Sequence, residues 1–191
     1  MRVIAGRYKG RRLAAPTWEG LRPTSDRLKE SLFAILAPWV EGARVLDGFA
    51  GSGALGIEAL SRGAATVVFV EQDARAAALI GRNLAHCGIA DGYVMIRADL
   101  TRAVRRLAAD QRFDLALLDP PYDFVDLESA VDAAAGRVAP GGVLVLEHAS
   151  RREAPARAGR LAMVRRVTAG DSAVTFYREA AGAAPAATEG S

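Results

Sequence analysis

Apolar residues in this chain fall into short unbroken runs, separated by stretches in which they recur every three or four positions. Val45-Leu46, Thr66-Val67-Val68-Phe69-Val70, Tyr93-Val94-Met95-Ile96-Arg97, Leu115-Ala116-Leu117-Leu118 and Val143-Leu144-Val145-Leu146 are such runs. A strand buried on both faces has this continuous apolar character. Helical patterns alternate with them: about Ala54 to Arg62 before Gly63, Ala74 to Cys87 before Gly88, Thr101 to Ala109, and Val125 to Val138 before Pro140-Gly141-Gly142. Glycine just past the last periodic residue is a helix stop. The alternation predicts an α/β fold with a doubly wound, mostly parallel sheet.

The pattern changes at both ends. Beyond Arg151 the strand and helix rhythm stops. Leu161-Ala162-Met163-Val164 and Ala173-Val174-Thr175-Phe176-Tyr177 flank Ala169-Gly170-Asp171-Ser172 and predict an antiparallel hairpin at the sheet edge, giving seven strands in all. Residues 1–16 read as extended, with Val3 to Gly6 as a short edge strand. Leu28, Leu32, Ile35 and Leu36 share one face of a helix that opens after Pro23 with the capping residues Thr24, Ser25 and Asp26 and that Pro38 is expected to end. This divides the chain into an N-terminal extension with its capped helix (1–40), an α/β domain (41–179) and a disordered Ala-Gly-Pro-rich tail (180–191).

Four of the predicted strands run into an acid: Asp47, Glu71, Asp119 and Glu147. Ligands bind at this edge of open α/β sheets. After the first strand comes Asp47-Gly48-Phe49-Ala50-Gly51-Ser52-Gly53-Ala54-Leu55-Gly56, a glycine turn opening a helix. Gly51 and Gly53 let backbone approach a ligand closely, and the helix start aims its N–H groups and positive dipole end at the turn. Gly51, Gly53 and Gly56 spell G-x-G-x-x-G, with Glu71 twenty residues beyond Gly51, a spacing that also fits a dinucleotide. Two features favour S-adenosylmethionine instead. Asp47 would repel a pyrophosphate but attract a sulfonium and an ammonium group. The second feature is Asp119-Pro120-Pro121-Tyr122, which suits methylation of an amino group and serves no hydride transfer.

The exocyclic amine of a nucleobase is a poor nucleophile, because its lone pair is delocalised into the ring. A site that methylates it must hold the nitrogen in line and draw electron density towards it. Asp119 can accept one N–H and the carbonyl of Pro120 the other, while two prolines fix φ and keep that carbonyl aimed. Tyr122 can stack on the base face. Positioning and aimed acceptors supply most of such catalysis. The base must leave its stack, which loop or single-stranded RNA permits more readily than duplex.

Charge sharpens the choice of partner. The net charge is +3, yet residues 1–30 hold eight basic against three acidic side chains. Arg2, Arg7, Lys9, Arg11, Arg12, Arg22 and Arg27 form a basic arm that suits a polyanion, and the Arg7-Tyr8-Lys9 interleaving suits phosphate contact and base stacking or a plain hairpin. The single cysteine, Cys87 beside His86, excludes an internal disulfide and reads as a packed thiol rather than a metal ligand. No run is long enough to span a membrane and the N-terminus lacks a signal-peptide core, so a cytoplasmic protein is expected.

With both motifs placed, the chain resembles the class I S-adenosylmethionine-dependent methyltransferases. It is most similar to the bacterial family that methylates guanine 966 of 16S ribosomal RNA at N2. The resemblance extends to about Arg178 and is carried by Arg2-Val3-Ile4-Ala5-Gly6, Arg22-Pro23-Thr24-Ser25-Asp26-Arg27, the 47–56 glycine motif and the 119–122 tetrapeptide. It implies a Rossmann-like methyltransferase fold and small-subunit ribosomal RNA as partner; a monomer is expected. It implies that Asp47, Phe49, Gly51 and Gly53 line the methionine portion of the cofactor, with Ala50, Ser52 and Asp119 also binding it. Glu71 would hold the ribose, Asp99 the adenine amino group, and Asp119 to Tyr122 the target base, with the basic arm facing RNA. Gly48 departs from the family, which usually has a larger apolar residue there; a slightly looser strand end is expected. A DNA or other RNA amino-methyltransferase and a non-catalytic RNA-binding module are the alternatives.

Overall fold

The structure is a computed structural model and describes residues 1–16, 18 and 26–180. Arg22 and the Pro23-Thr24-Ser25 cap lie outside the described residues, as does the tail from 181 onward. Five parallel strands, β1 (Arg44–Asp47), β2 (Thr66–Val70), β3 (Tyr93–Ile96), β4 (Phe113–Leu118) and β5 (Val138–Ala149), form one half of the sheet and its centre. β6 (Arg157–Ala158), β7 (Leu161–Ala169) and β8 (Ser172–Glu179) add antiparallel strands. The order is β3-β2-β1-β4-β5-β8-β7-β6. The sheet therefore has eight strands among the described residues rather than seven. The additional one is β6, whose two residues are too few to show an alternation in the sequence.

Side chains alternate across the pleat into two cores. Val45, Val67, Phe69, Leu115 and Val145 pack beneath α1 (Asp26–Val40), α2 (Ala54–Ser61) and α3 (Ala74–His86). Leu46, Val68, Ala116, Leu118 and Leu144 face α4 (Leu100–Arg106) and α5 (Leu127–Ala135) on the other side. The direction of winding reverses between β1 and β4: from β1 the sheet is built outward to β2 and β3, and from β4 to β5. This switch point opens a crevice at the carboxyl ends of the two strands. Asp47 closes β1 and Asp119 follows β4, so the two acids flank the crevice.

Several boundaries differ from the sequence reading: α5 stops at Ala135, Val138 already opens β5, which runs through Pro140-Gly141-Gly142, and residues 3–6 form no edge strand. Pro38 lies inside the last turn of α1, which continues to the buried Val40. A proline there removes one hydrogen bond near the helix end, and burial of Val40 outweighs it. Glu147 lies within β5 rather than at its end, because β8 pairs with β5 as far as Ala149.

The N-terminal residues fold back on themselves through an Arg2 to Arg12 bridge and clamp onto α2. Glu58 accepts from the backbone of Ile4 at 2.8 Å and Ala5 at 3.0 Å, and Ser61 accepts from Tyr8 N–H at 2.9 Å. The buried Lys29 ammonium donates to the Arg2 carbonyl at 2.5 Å and lies 3.6 Å from Glu58. No helix among the described residues is long and apolar enough to cross a membrane.

Candidate active site

The turn after β1 is held by carboxylates and by neighbouring strands. Gly48 N–H donates to the Leu117 carbonyl on β4 and Ala50 N–H to the Val70 carbonyl on β2. Gly51 (φ 55°) and Gly53 (φ 79°) take left-handed conformations that only glycine adopts freely. Glu71 accepts from Gly51 N–H at 2.8 Å through Oε2 and from Asp73 N–H at 2.8 Å through Oε1. Asp47 accepts from Gly56 N–H at 2.9 Å, so it fastens the first turn of α2 to the strand end. A Cβ on Gly56 would lie 2.2 Å from the Phe69 ring, so the third glycine serves helix-to-sheet packing. At Gly48 the space a side chain would fill is already taken by Leu118 and Leu100. The strand end is packed there, not loosened.

Two cavities meet at this turn. The larger, about 1100 Å³, is lined by Asp47, Phe49, Ala50, Gly51 and Ser52 on one side and by Asp119 to Tyr122 on the other. Glu147, the β7–β8 turn from Val167 to Gly170, Ser172, and Arg27, Leu28 and Ser31 of α1 complete its wall. The smaller, about 280 Å³, is lined by Gly48, Phe49, Glu71, Asp99, Leu100 and Trp18. Phe49, Asp119 and Pro121 border both. Phe49 packs edge-on against Phe124 with ring centres 5.1 Å apart.

The acids are poised differently. Asp47 is buried, which pushes its carboxyl up to about 7, with smaller contributions from the charges of Asp119 and Glu71 and an opposing one from Gly56 N–H. Glu147 is pushed up to about 8 by burial and by the neighbouring Asp119 charge. Asp73, half-buried at the head of α3, is drawn down to about 2 by Arg75. Asp99 caps α4 by accepting from Arg102 N–H at 2.8 Å. Acidic side chains from successive strand ends thus border the two cavities. That lining fits S-adenosylmethionine, whose sulfonium and ammonium are cationic, and disfavours a pyrophosphate. Glu71 and Asp99 each spend lone pairs on backbone N–H groups, yet a carboxylate has about four acceptor sites and both can still receive ligand donors.

The structure brings the tetrapeptide and the glycine turn into one crevice. The Tyr122 hydroxyl hydrogen-bonds Ser172 Oγ at 2.5 Å, tying the tetrapeptide to the hairpin. Gly53 is buried between the lining residues Ser52 and Ala54. Arg7, Lys9, Arg11 and Arg12 are exposed on the docked arm, and Arg7 and Arg11 lie 5.5 and 5.7 Å from the Tyr8 ring centre. Arg2 pairs with Asp26 at 3.4 Å, whereas Arg27 lies on the cavity wall. The sequence reading gave no site role to Glu147 or Ser172. An acid in line with Asp119 was a signal for Glu147; Ser172 had none, because hairpin position is set by tertiary pairing.

A doubly wound sheet with an acidic, glycine-lined crevice at its switch point and a rigid Asp-Pro-Pro-Tyr beside it defines a Rossmann-like methyltransferase. A family model described as "Conserved hypothetical protein 95" matches residues 1–178. Ribosomal RNA small subunit methyltransferase D of Haemophilus influenzae is 42% identical over 133 residues, covering 69% of this chain and 68% of that protein. The Escherichia coli K12 protein of the same name is 34% identical over 185 residues, 95% of this chain and 92% of that protein. A solved structure of a Thermus thermophilus protein superposes with a TM-score of 0.80 at 31% identity, over 94% of this chain and 99% of the other. The chain belongs to the Conserved hypothetical protein 95 family and is similar to these small-subunit methyltransferases.

Proposed function

We propose that this protein methylates the exocyclic N2 of a guanine in 16S ribosomal RNA, guanine 966 by the family resemblance, in the small subunit or an assembly intermediate. The observation that carries the reading is the shared crevice: Asp119 to Tyr122 and the 47–52 turn line one cavity, in a chain whose relatives are named small-subunit ribosomal RNA methyltransferases. S-adenosylmethionine, when bound, supplies a methyl group on a positively charged sulfur. Asp47, Phe49, Ala50, Gly51, Ser52 and Gly53 hold its methionine end, Glu71 its ribose and Asp99 its adenine.

The protein's own work is on the base. Asp119 and the Pro120 carbonyl each accept one N2 hydrogen, which turns the amine lone pair towards the methyl donor. Pro120 and Pro121 fix the backbone, so this geometry is set before the base arrives. Tyr122, held by Ser172, stacks against the base. The amine loses one proton as the new N–C bond forms, and Asp119 takes it or passes it to water. Arg2, Arg7, Lys9, Arg11, Arg12, Arg22 and Arg27 face the phosphates, Arg27 at the cavity wall itself.

Calorimetric titration combined with one substitution tests the assignment. S-adenosylhomocysteine binds, and Asp119→Ala retains that binding while methyl transfer to subunits is lost. Tight NAD binding without S-adenosylhomocysteine binding, or near-normal turnover in Asp119→Ala, overturns it.

A further inference from the structure

Glu147 stands beside Asp119 in the sheet. Leu118 of β4 and Leu146 of β5 are partners in parallel register, so the residue that follows each is placed side by side with the other. Glu147 is only 7% exposed and lines the larger cavity together with Asp119 and Tyr122. Its Oε2 is buried and has no hydrogen-bond partner. A buried polar atom left unsatisfied is costly, so one kept on the wall of a binding cavity is a place for a ligand donor. Ser172, whose hydroxyl holds Tyr122, is next to the same carboxyl.

The chemistry of the bases says which donor fits. Asp119 and the Pro120 carbonyl are used on the two hydrogens of the target amine, and they would serve the amine of adenine or cytosine equally well. The bases differ at the ring nitrogen next to that amine. In adenine N1 and in cytosine N3 are acceptors. In guanine N1 carries a hydrogen and is a donor. A third acceptor beside the amine acceptors therefore reads guanine and leaves adenine or cytosine facing lone pair against lone pair.

We propose that Glu147 Oε2 accepts the N1–H of the extruded guanine and is the residue that selects guanine in a tetrapeptide site otherwise tolerant of any amino-bearing base. The proposal rests on the guanine-N2 reading above and adds the determinant of its base choice. An ionised Glu147 accepts N1–H through Oε2; a neutral one does the same with its proton on Oε1, the oxygen bonded to Ser172, so that Oε2 stays an acceptor. Guanine is served in either state, and burial beside Asp119 favours the neutral one.

The test uses small subunits reconstituted on 16S RNA in which the mapped acceptor guanine is replaced by 2-aminopurine. That base keeps the N2 amine but has neither N1–H nor O6. kcat/KM on guanine and on 2-aminopurine is measured for the wild type, Glu147→Ala and Glu147→Gln, with S-adenosylhomocysteine binding as the folding control. The wild type prefers guanine by about tenfold or more. Glu147→Ala loses roughly 10- to 100-fold on guanine and little on 2-aminopurine, so the ratio collapses. Glu147→Gln, whose amide carbonyl still accepts, keeps most of the preference. Equal losses on both bases in Glu147→Ala, or no wild-type preference, show a buried strut and overturn the proposal. Transfer to neither RNA by the wild type instead brings down the guanine-N2 reading and the proposal with it.

Discussion

Asp47 does two jobs with one carboxylate. It anchors Gly56 N–H and so positions α2, and it presents a hydrogen-bond acceptor on the wall of the cavity. Both depend on Gly56 having no side chain, since a Cβ there would strike the Phe69 ring and come within 2.9 Å of Asp47 Oδ2. Gly56→Ala is therefore expected to destabilise the fold by about 1–3 kcal/mol in urea denaturation, the cost of overpacking a closed site. It should also weaken S-adenosylhomocysteine binding in calorimetry. Unchanged stability and affinity would show that the third glycine is not what fixes the turn. Individual residues at the crevice were readable because their signal is local: Asp47, Glu71 and Asp119 each follow an apolar run. Ser172 was not, since only strand pairing brings it 2.5 Å from Tyr122.

At the scale of elements, the N-terminal arm behaves as part of the domain. Val3 and Leu13 belong to the same core as α1 and β1, and Met1 Sδ lies 3.7 Å from Ser52 Oγ in the glycine turn. Glu58 is the anchor, fully buried and facing both Lys29 and Arg62. Lys29→Met removes one cation from a buried carboxylate and should cost about 3 kcal/mol in chemical denaturation. A loss below about 0.5 kcal/mol would mean that Arg62 alone neutralises Glu58. Gly6→Ala probes the docking by another route. Gly6 has φ 81°, and a Cβ would sit 1.8 Å from the Ser61 carbonyl, so the arm must lift and its amide protons should lose exchange protection. Retained protection would contradict the clamp. The order of strands and helices was readable from the alternation of apolar runs and helical periods. The ends of β5 were not: Pro140-Gly141-Gly142 reads as a turn, yet the strand passes through it by a register shift opposite Phe113 and Leu115.

For the whole molecule, charge and titration make the predictions. Exposed arginines on the docked arm put positive potential on one side of an otherwise near-neutral body. Replacing Arg7, Arg11 and Arg12 with Ala should weaken RNA binding and reduce the magnitude of its log–log salt slope by about 2, as counterion release is lost with each phosphate contact. An unchanged slope would take the arm off the RNA. Stability should also respond to pH. Asp47 and Glu147 ionise near their ordinary 3.8 and 4.5 in the unfolded chain but hold their protons to about 7 and about 8 when folded. The native state then binds more protons across that interval, and stability falls as pH rises. Buried His148, whose pKa is lowered by burial, acts in the opposite sense, but chiefly below its ordinary 6.5. Between pH 6.5 and 8 the Tm of the ligand-free protein should therefore decrease, and Glu147→Gln should make the decrease shallower. A Tm that rises over this range would contradict the burial of these acids.

The most direct measurement is transfer of labelled methyl from S-adenosylmethionine to small ribosomal subunits lacking the modification, followed by nucleoside analysis. The account predicts N2-methylguanosine with the wild type and none with Asp119→Ala. Label on adenine or cytosine would keep the fold and the amine chemistry but contradict the guanine assignment. No label on subunits, naked RNA or DNA, despite cofactor binding, would contradict the account of the crevice as a nucleobase methylation site.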